Sequence, residues 1–139
     1  MAVAISDLVQ RLRAEILRGP PQRLAVIFGS RAGGRARPES DADVGILPAD
    51  PQLPLAAELD LQARLSTAVG LEVDLVRLDG DDLLLGREVA LHGVPVYEER
   101  PGAFARFRAS AVSEWLDFET ALAPARDRWL ARLARQGPR

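Results

Sequence analysis

The stretch FGSRAGGRARPESDADVGIL, residues 28–47, decides how the rest of this chain is read. An apolar run over 23–28 stops abruptly at Gly29-Ser30, an Arg- and Gly-rich segment follows, and Ser40-Asp41-Ala42-Asp43 opens a second apolar run. A strand ending in Gly-Ser offers a tight turn whose backbone N–H groups can face an anion. Gly29 lets a phosphate approach the backbone closely, and Ser30 can donate from its hydroxyl and its N–H at a helix N-terminus. Arg31 can add a charge-assisted contact to a phosphate tail. Asp41 and Asp43, two apart on a strand, share a face at about 6.5–7 Å along the backbone. The stretch therefore reads as a phosphate cradle beside a divalent-metal site. Arg35 and Arg37 read as surface residues or contacts to an acidic partner.

Working outward, Ile5, Leu8, Val9, Leu12 and Ile16 follow a helical period, so a helix is expected over 7–18 with Ser6 as its N-cap and Gly19-Pro20-Pro21 as its stop. The run 23–28 reads as a buried central strand. Residues 31–36 have room for one or two helical turns before Pro38, weakened by Gly33 and Gly34. The second strand, 41–47, places Asp41, Asp43 and Gly45 on one face and Ala42, Val44 and Ile46 on the other. After a loop marked by Pro48, Pro51 and Pro54 comes a helix over 55–69, with Leu55, Leu59, Ala63 and Leu65 inward and Gly70 past its end. A third strand, 72–78, groups Glu72, Asp74 and Val76. Asp79, Asp81 and Asp82 suit the start of a helix running to about Leu91, which Gly93 closes. Residues 94–98 form an edge strand, because Pro95 would remove a ladder donor from a central one. From about Pro101 the chain is helical, with Phe104, Phe107, Ala111, Trp115, Phe118 and Leu122 in one stripe. Pro124 is expected to kink or end this helix, with a second segment carrying Trp129, Leu130 and Leu133. The order αβ(α)βαβαβα predicts an α/β (α+β) domain.

Composition narrows the chemistry. At 139 residues, 47% hydrophobic and 27% charged, the chain can bury a core of its own. A net charge of −2 gives no electrostatic case for direct nucleic-acid or membrane-surface binding. With no cysteine, disulfides, thiolate metal sites and cysteine nucleophiles are excluded, and a cytoplasmic location fits. All 18 basic residues are Arg, which removes lysine chemistry, a P-loop lysine included. No signal peptide is expected, and no apolar run approaches the roughly 20 residues of a bilayer span.

Asp74 strengthens the metal reading. It sits between Val73 and Leu75 in an otherwise apolar strand, where an unpaired carboxylate is costly to bury. If the second and third strands are neighbours, Asp41, Asp43 and Asp74 converge. At about 5 Å and an effective dielectric of about 20, each pair repels by roughly 3 kcal/mol. Hard Mg²⁺ ions, shared with substrate phosphate oxygens, are the usual relief, and two such ions can hold both the attacking and the leaving oxygen at phosphorus.

Gly29-Ser30, Gly34, Ser40-Asp41-x-Asp43 and the later Asp74 resemble the signature of DNA polymerase β-like nucleotidyltransferases. Leu91-His92-Gly93-Val94-Pro95-Val96-Tyr97-Glu98 and a helical tail containing Trp115-Leu116-Asp117-Phe118 resemble the minimal nucleotidyltransferase (MNT) group, whose members pair as antitoxins with HEPN ribonuclease toxins. Gly33 departs from this group, which often has Arg before the second glycine. The resemblance implies a nucleotidyltransferase fold: a short mixed sheet of about four strands flanked by helices, with the site along one sheet face. It also implies transfer of AMP from ATP to a tyrosine hydroxyl on a HEPN partner. Asp41 and Asp43 would ligate two Mg²⁺ ions, Asp74 would ligate one and accept the hydroxyl proton, and Gly29, Ser30, Arg31 and Ser40 would hold the nucleotide.

On this reading, residues 1–100 are the minimal nucleotidyltransferase domain, and 101–139 a helical extension packed on the domain, on a partner, or on both. There is no room for a further substrate-binding domain, so a partner chain is expected to supply the acceptor. The competing readings are a homodimeric small-molecule adenylyltransferase of the antibiotic-modifying kind and a steric toxin-binding module with a vestigial site. The complete carboxylate set argues against the latter. Arg87 and His92 fall near the Arg-x₄₋₆-His spacing of the ribonuclease but lie in the nucleotidyltransferase half. His92 reads as a helix-end residue and Tyr97 as packing.

Overall fold

A computed structural model describes residues 4–29 and 41–137. Its core is a four-stranded mixed sheet, with β1 (Gln22–Phe28), β2 (Ala42–Pro48), β3 (Val73–Arg77) and β4 (Val94–Glu98) in the order β3-β2-β1-β4. β1 lies antiparallel to both β2 and β4, while β2 and β3 run parallel. The connection that makes β3 parallel is α2 (Leu55–Val69), the crossover such a pair requires. β1 is central and buried except at Arg23, and β4 is an edge strand, as Pro95 foretold.

The strand alternation divides the core in two. Ala25, Ile27, Ala42, Val44, Ile46 and Val73 face α1 (Ile5–Arg18) and α2, meeting Leu8, Leu12 and Ile16 from the former and Leu61, Leu65 and Val69 from the latter. Leu24, Val26 and Phe28 face α3 (Leu83–His92) and the start of α4 (Ala103–Gln136), packing with Val89 and Phe104. Gly45 is on this second face, and a Cβ there would come within 2.6 Å of the Leu78 side chain, so its lack of a side chain is what lets Leu78 fold over β2.

Several local expectations are corrected. α1 begins at Ile5 with Ala4 in the N-cap position and no side-chain cap, so Ser6 is inside the helix. α2 has the expected bounds and a left-handed Gly70 after it, but Leu55, Leu59 and Ala63 are exposed and the inward stripe is Leu61, Leu65 and Val69. The helix carries apolar residues on most of its circumference, so periodicity cannot select a face; contact with α1 and the sheet does. Asp79 does not open α3. It pairs with Arg77, and Asp82 is the N-cap, its Oδ1 accepting from the Leu85 N–H at 3.0 Å. α4 continues through Pro124 as one helix. An interior proline costs about 3 kcal/mol or more, yet here the segment is exposed, so the carbonyl that loses its N–H partner is left to water. The expected helical turns over 31–36 lie outside the described residues.

The two candidate stripes of α2 are distinguishable in solution. Leu61→Ala should cost about 2–5 kcal/mol in urea unfolding, whereas Leu59→Ala should stay within about 0.5 kcal/mol of the parent.

Candidate active site

The expected convergence of the carboxylates depends on β2 and β3 being neighbours, and they are. In their parallel register Asp43 stands opposite Asp74, with Phe28 of β1 opposite Asp43 on its other side. Residues in register on adjacent strands point to the same face about 4.8 Å apart, so the two side chains emerge together on the face shared with α3 and α4. Asp43 is half-buried and Asp74 is exposed. Asp41 falls one residue before β2 and is exposed.

Burial, reinforced by the charges of Asp74 and then Asp41, holds the Asp43 carboxyl above its ordinary value of 3.8. The third carboxylate is thus close enough to be felt electrostatically. Among the described residues, however, no group of three or more His, Asp or Glu side chains is gathered closely enough to hold a metal ion. What the fold brings together is the Asp43–Asp74 pair, with Asp41 flanking it. A carboxylate pair carrying unrelieved repulsion is a donor set suited to a hard divalent cation that takes further oxygen ligands from substrate phosphate and water.

Gly29 borders the pair directly. Its φ is +77°, and a Cβ added there would be 2.5 Å from Oδ2 of Asp43. Both the left-handed backbone and the carboxylate exclude a side chain at this position. The backbone at the end of β1 therefore lies against the Asp43 carboxylate, as the sequence reading placed it. The other expected nucleotide contacts, Ser30, Arg31 and Ser40, lie outside the described residues.

Two residues that sequence reasoning missed fix the position of Asp74. β3 is a sheet edge, so the N–H groups of Val73 and Leu75 have no strand partner on their outer side. Val73 N–H donates to Ser66 Oγ at 3.0 Å and Leu75 N–H to Gln62 Oε1 at 2.9 Å, both acceptors coming from α2. These bonds flank Asp74 and clamp the strand so that Asp74 keeps its register. In the sequence Gln62 and Ser66 are two of six polar residues on α2, beside Glu58, Asp60, Arg64 and Thr67, so nothing in the local pattern singled them out. A second tie lies at the strand's far end, where Arg77 joins Glu58 of α2 at 2.8 Å, Asp79, and the Pro51 carbonyl at 2.8 Å.

Elsewhere, a cavity of about 620 Å³, lined in part by Arg23, Arg100, Arg106 and Phe107, lies at the opposite end of the same face. It is four residues along β1 from Phe28, roughly 13 Å from the carboxylates, and plays no part in the pair. Arg87 lies over the ring of Trp115 at 5.2 Å, so it is committed to packing, and His92 is the exposed last residue of α3. Tyr97 packs against the core beneath Arg13.

Residues 14–101 match the family described as Polymerase beta, Nucleotidyltransferase. Among solved structures, the chain is similar to one from a toxin–antitoxin with AMP-PNP: 24% identity over 92% of this chain and 99% of that one, TM-score 0.71. It is also similar to a chain from a Shewanella oneidensis complex of tri-AMPylated HEPN toxin with MNT antitoxin, at 23% identity over 91% and 96% and a TM-score of 0.64. A third is from the toxin–antitoxin MntA-HepT, at 23% identity over 91% and 97% and a TM-score of 0.64. These likenesses establish a shared fold. No curated protein matches in sequence.

Two outcomes follow from the site's geometry. Because Asp43 binds its proton more tightly folded than unfolded, ionising it opposes folding. That penalty is absent below 3.8, grows as pH rises through the raised value, and is constant above it. Asp43→Asn should therefore raise the melting temperature at pH 7 without divalent ions, and the gain should vanish on acidification below 3.8. Gln62→Leu, which leaves the Leu75 N–H without its acceptor, should cost about 1–3 kcal/mol and accelerate hydrogen exchange at Leu75.

Proposed function

The chain belongs to the polymerase beta nucleotidyltransferase family, and on that premise we propose that it transfers AMP from ATP to a hydroxyl, that of a tyrosine, on a HEPN-type ribonuclease toxin and so acts as its antitoxin. The observation that carries this reading is the in-register Asp43–Asp74 pair bordered by the glycine turn at Gly29. The resemblance to chains from complexes of MNT antitoxin with AMPylated HEPN toxin, and from a toxin–antitoxin with AMP-PNP, supports the choice of acceptor and nucleotide.

In this mechanism the acceptor oxygen attacks the α-phosphorus of ATP, a P–O bond forms to AMP, and pyrophosphate leaves. Asp74, the more exposed of the pair, accepts the proton from the attacking hydroxyl. Asp43 and Asp74, with Asp41, would hold Mg²⁺, which when bound neutralises charge on the phosphoryl oxygens. Gly29 admits the nucleotide close to the backbone, and Ser30, Arg31 and Ser40 bind its phosphates. Asp43 is fixed by a ladder on each side, from β1 and from β3, so little rearrangement is needed to orient the reacting groups.

Co-expression with the product of the neighbouring reading frame, incubation with ATP and Mg²⁺, and intact masses of both chains test the proposal. A gain of one or more AMP units on the partner is expected, and Asp43→Asn and Asp74→Asn should each abolish it while leaving a cooperative thermal transition. Tight binding with no mass change would instead support steric neutralisation, and modification of added aminoglycosides alone would support a small-molecule enzyme.

A further inference from the structure

The cavity of about 620 Å³ at the far end of the sheet face has no part in the proposed transfer. Its floor is apolar, formed by Leu24 of β1, Leu47 of β2 and Phe107 of α4, and Arg23, Arg100 and Arg106 stand around it. Among the described residues none of these three guanidiniums forms an ion pair. Glu99 is the one acidic residue on the lining, and the first turn of α4 has none. Asp79, which feels the Arg23 charge, is already paired with Arg77. The lining therefore keeps two uncompensated positive charges.

Arg106 is held in place. Its Nη1 donates to the Pro101 carbonyl at 3.3 Å, and a Cβ on Gly102, whose φ is +87°, would come within 3.0 Å of the same nitrogen. The glycine before α4 thus leaves room for a guanidinium whose other donors are unused among the described residues. The cavity is also separate from the carboxylates. Val26, Val89 and Phe104 pack together over the middle of the face, and Leu78 folds over Gly45 beside them.

We propose that this cavity is a second binding site, for a nucleoside monophosphate. A phosphate monoester carries a charge of about −1.5 to −2 at pH 7, which matches the charge left over on the lining. Guanidinium forks bind phosphate oxygens in pairs. The apolar floor calls for a body attached to the phosphate, and a flat base can lie on the Phe107 ring or against an arginine plane. Inorganic phosphate or pyrophosphate would satisfy the charges but leave Leu24, Leu47 and Phe107 uncovered. The volume is within the range of about 300–1,000 Å³ usual for small-molecule sites.

Titration of the full chain with AMP in EDTA, read by calorimetry and amide NMR, tests this without partner or Mg²⁺. One AMP should bind with a Kd on the order of 100 µM and shift the amides of Leu24, Ala103 and Ser110. Pyrophosphate should bind about tenfold more weakly, because it covers no apolar surface. Arg23→Gln and Arg100→Gln should each weaken AMP binding by about tenfold. Ser110→Trp, at an exposed helix position, should block the cavity with every arginine in place, and its thermal transition checks that it folds. No saturation by about 5 mM AMP, equal affinity for pyrophosphate, indifference to both arginine changes, or shifts gathered at Gly29 and Asp43 would overturn the proposal. Failure of AMP transfer to a partner would leave these results unchanged, so the two readings fail separately.

Discussion

The site rests on a register. β2 and β3 run parallel with Asp43 opposite Asp74, and a shift of one residue would send Asp74 to the α1–α2 face and bring an apolar side chain in its place. The same register seats Val44 beside Leu75 and Val73 beside Ala42 in the larger core cluster. Packing on one face therefore fixes the carboxylates on the other. Their mutual repulsion opposes folding, and the apolar contacts behind the sheet outweigh it.

Because β3 is an edge strand, it needs more than one partner strand to stay in place. Ser66 and Gln62 supply acceptors where a further strand would have done so, and Arg77 ties the strand's end to Glu58 and to the Pro51 carbonyl. α2 thus has two tasks. Leu61, Leu65 and Val69 fill the core, while Gln62 and Ser66 hold the edge strand that carries Asp74. This division explains why its exposed leucines, Leu55 and Leu59, are not its structural face.

Much of this was readable from residues alone, for identifiable reasons. Strand edges and the left-handed Gly70 were marked by turn chemistry, and Pro95 identified the edge strand because it lacks a donor. Asp43 and Asp74 stood out because carboxylates interrupt apolar strands, where burying one costs free energy. The failures share a different cause. Ser6, Asp79 and Pro124 each satisfied a local rule for helix ends; Asp79 is taken by its pair with Arg77, Pro124 lies in an exposed stretch where water meets the freed carbonyl, and α1 simply starts one residue ahead of Ser6.

The sequence by itself determined the element order, the alternation that separates Asp43 from Val44, and the Gly-Ser turn at the end of β1, since these depend on backbone geometry and period. Only the tertiary structure decided that β3 lies parallel beside β2 with Asp43 and Asp74 in register, which face of α2 is buried, and where the cover over α4 ends. Those are choices between surfaces that local pattern leaves equivalent. They are made by which surfaces meet, and pairing and packing join residues about thirty positions apart whose relation no local spacing encodes.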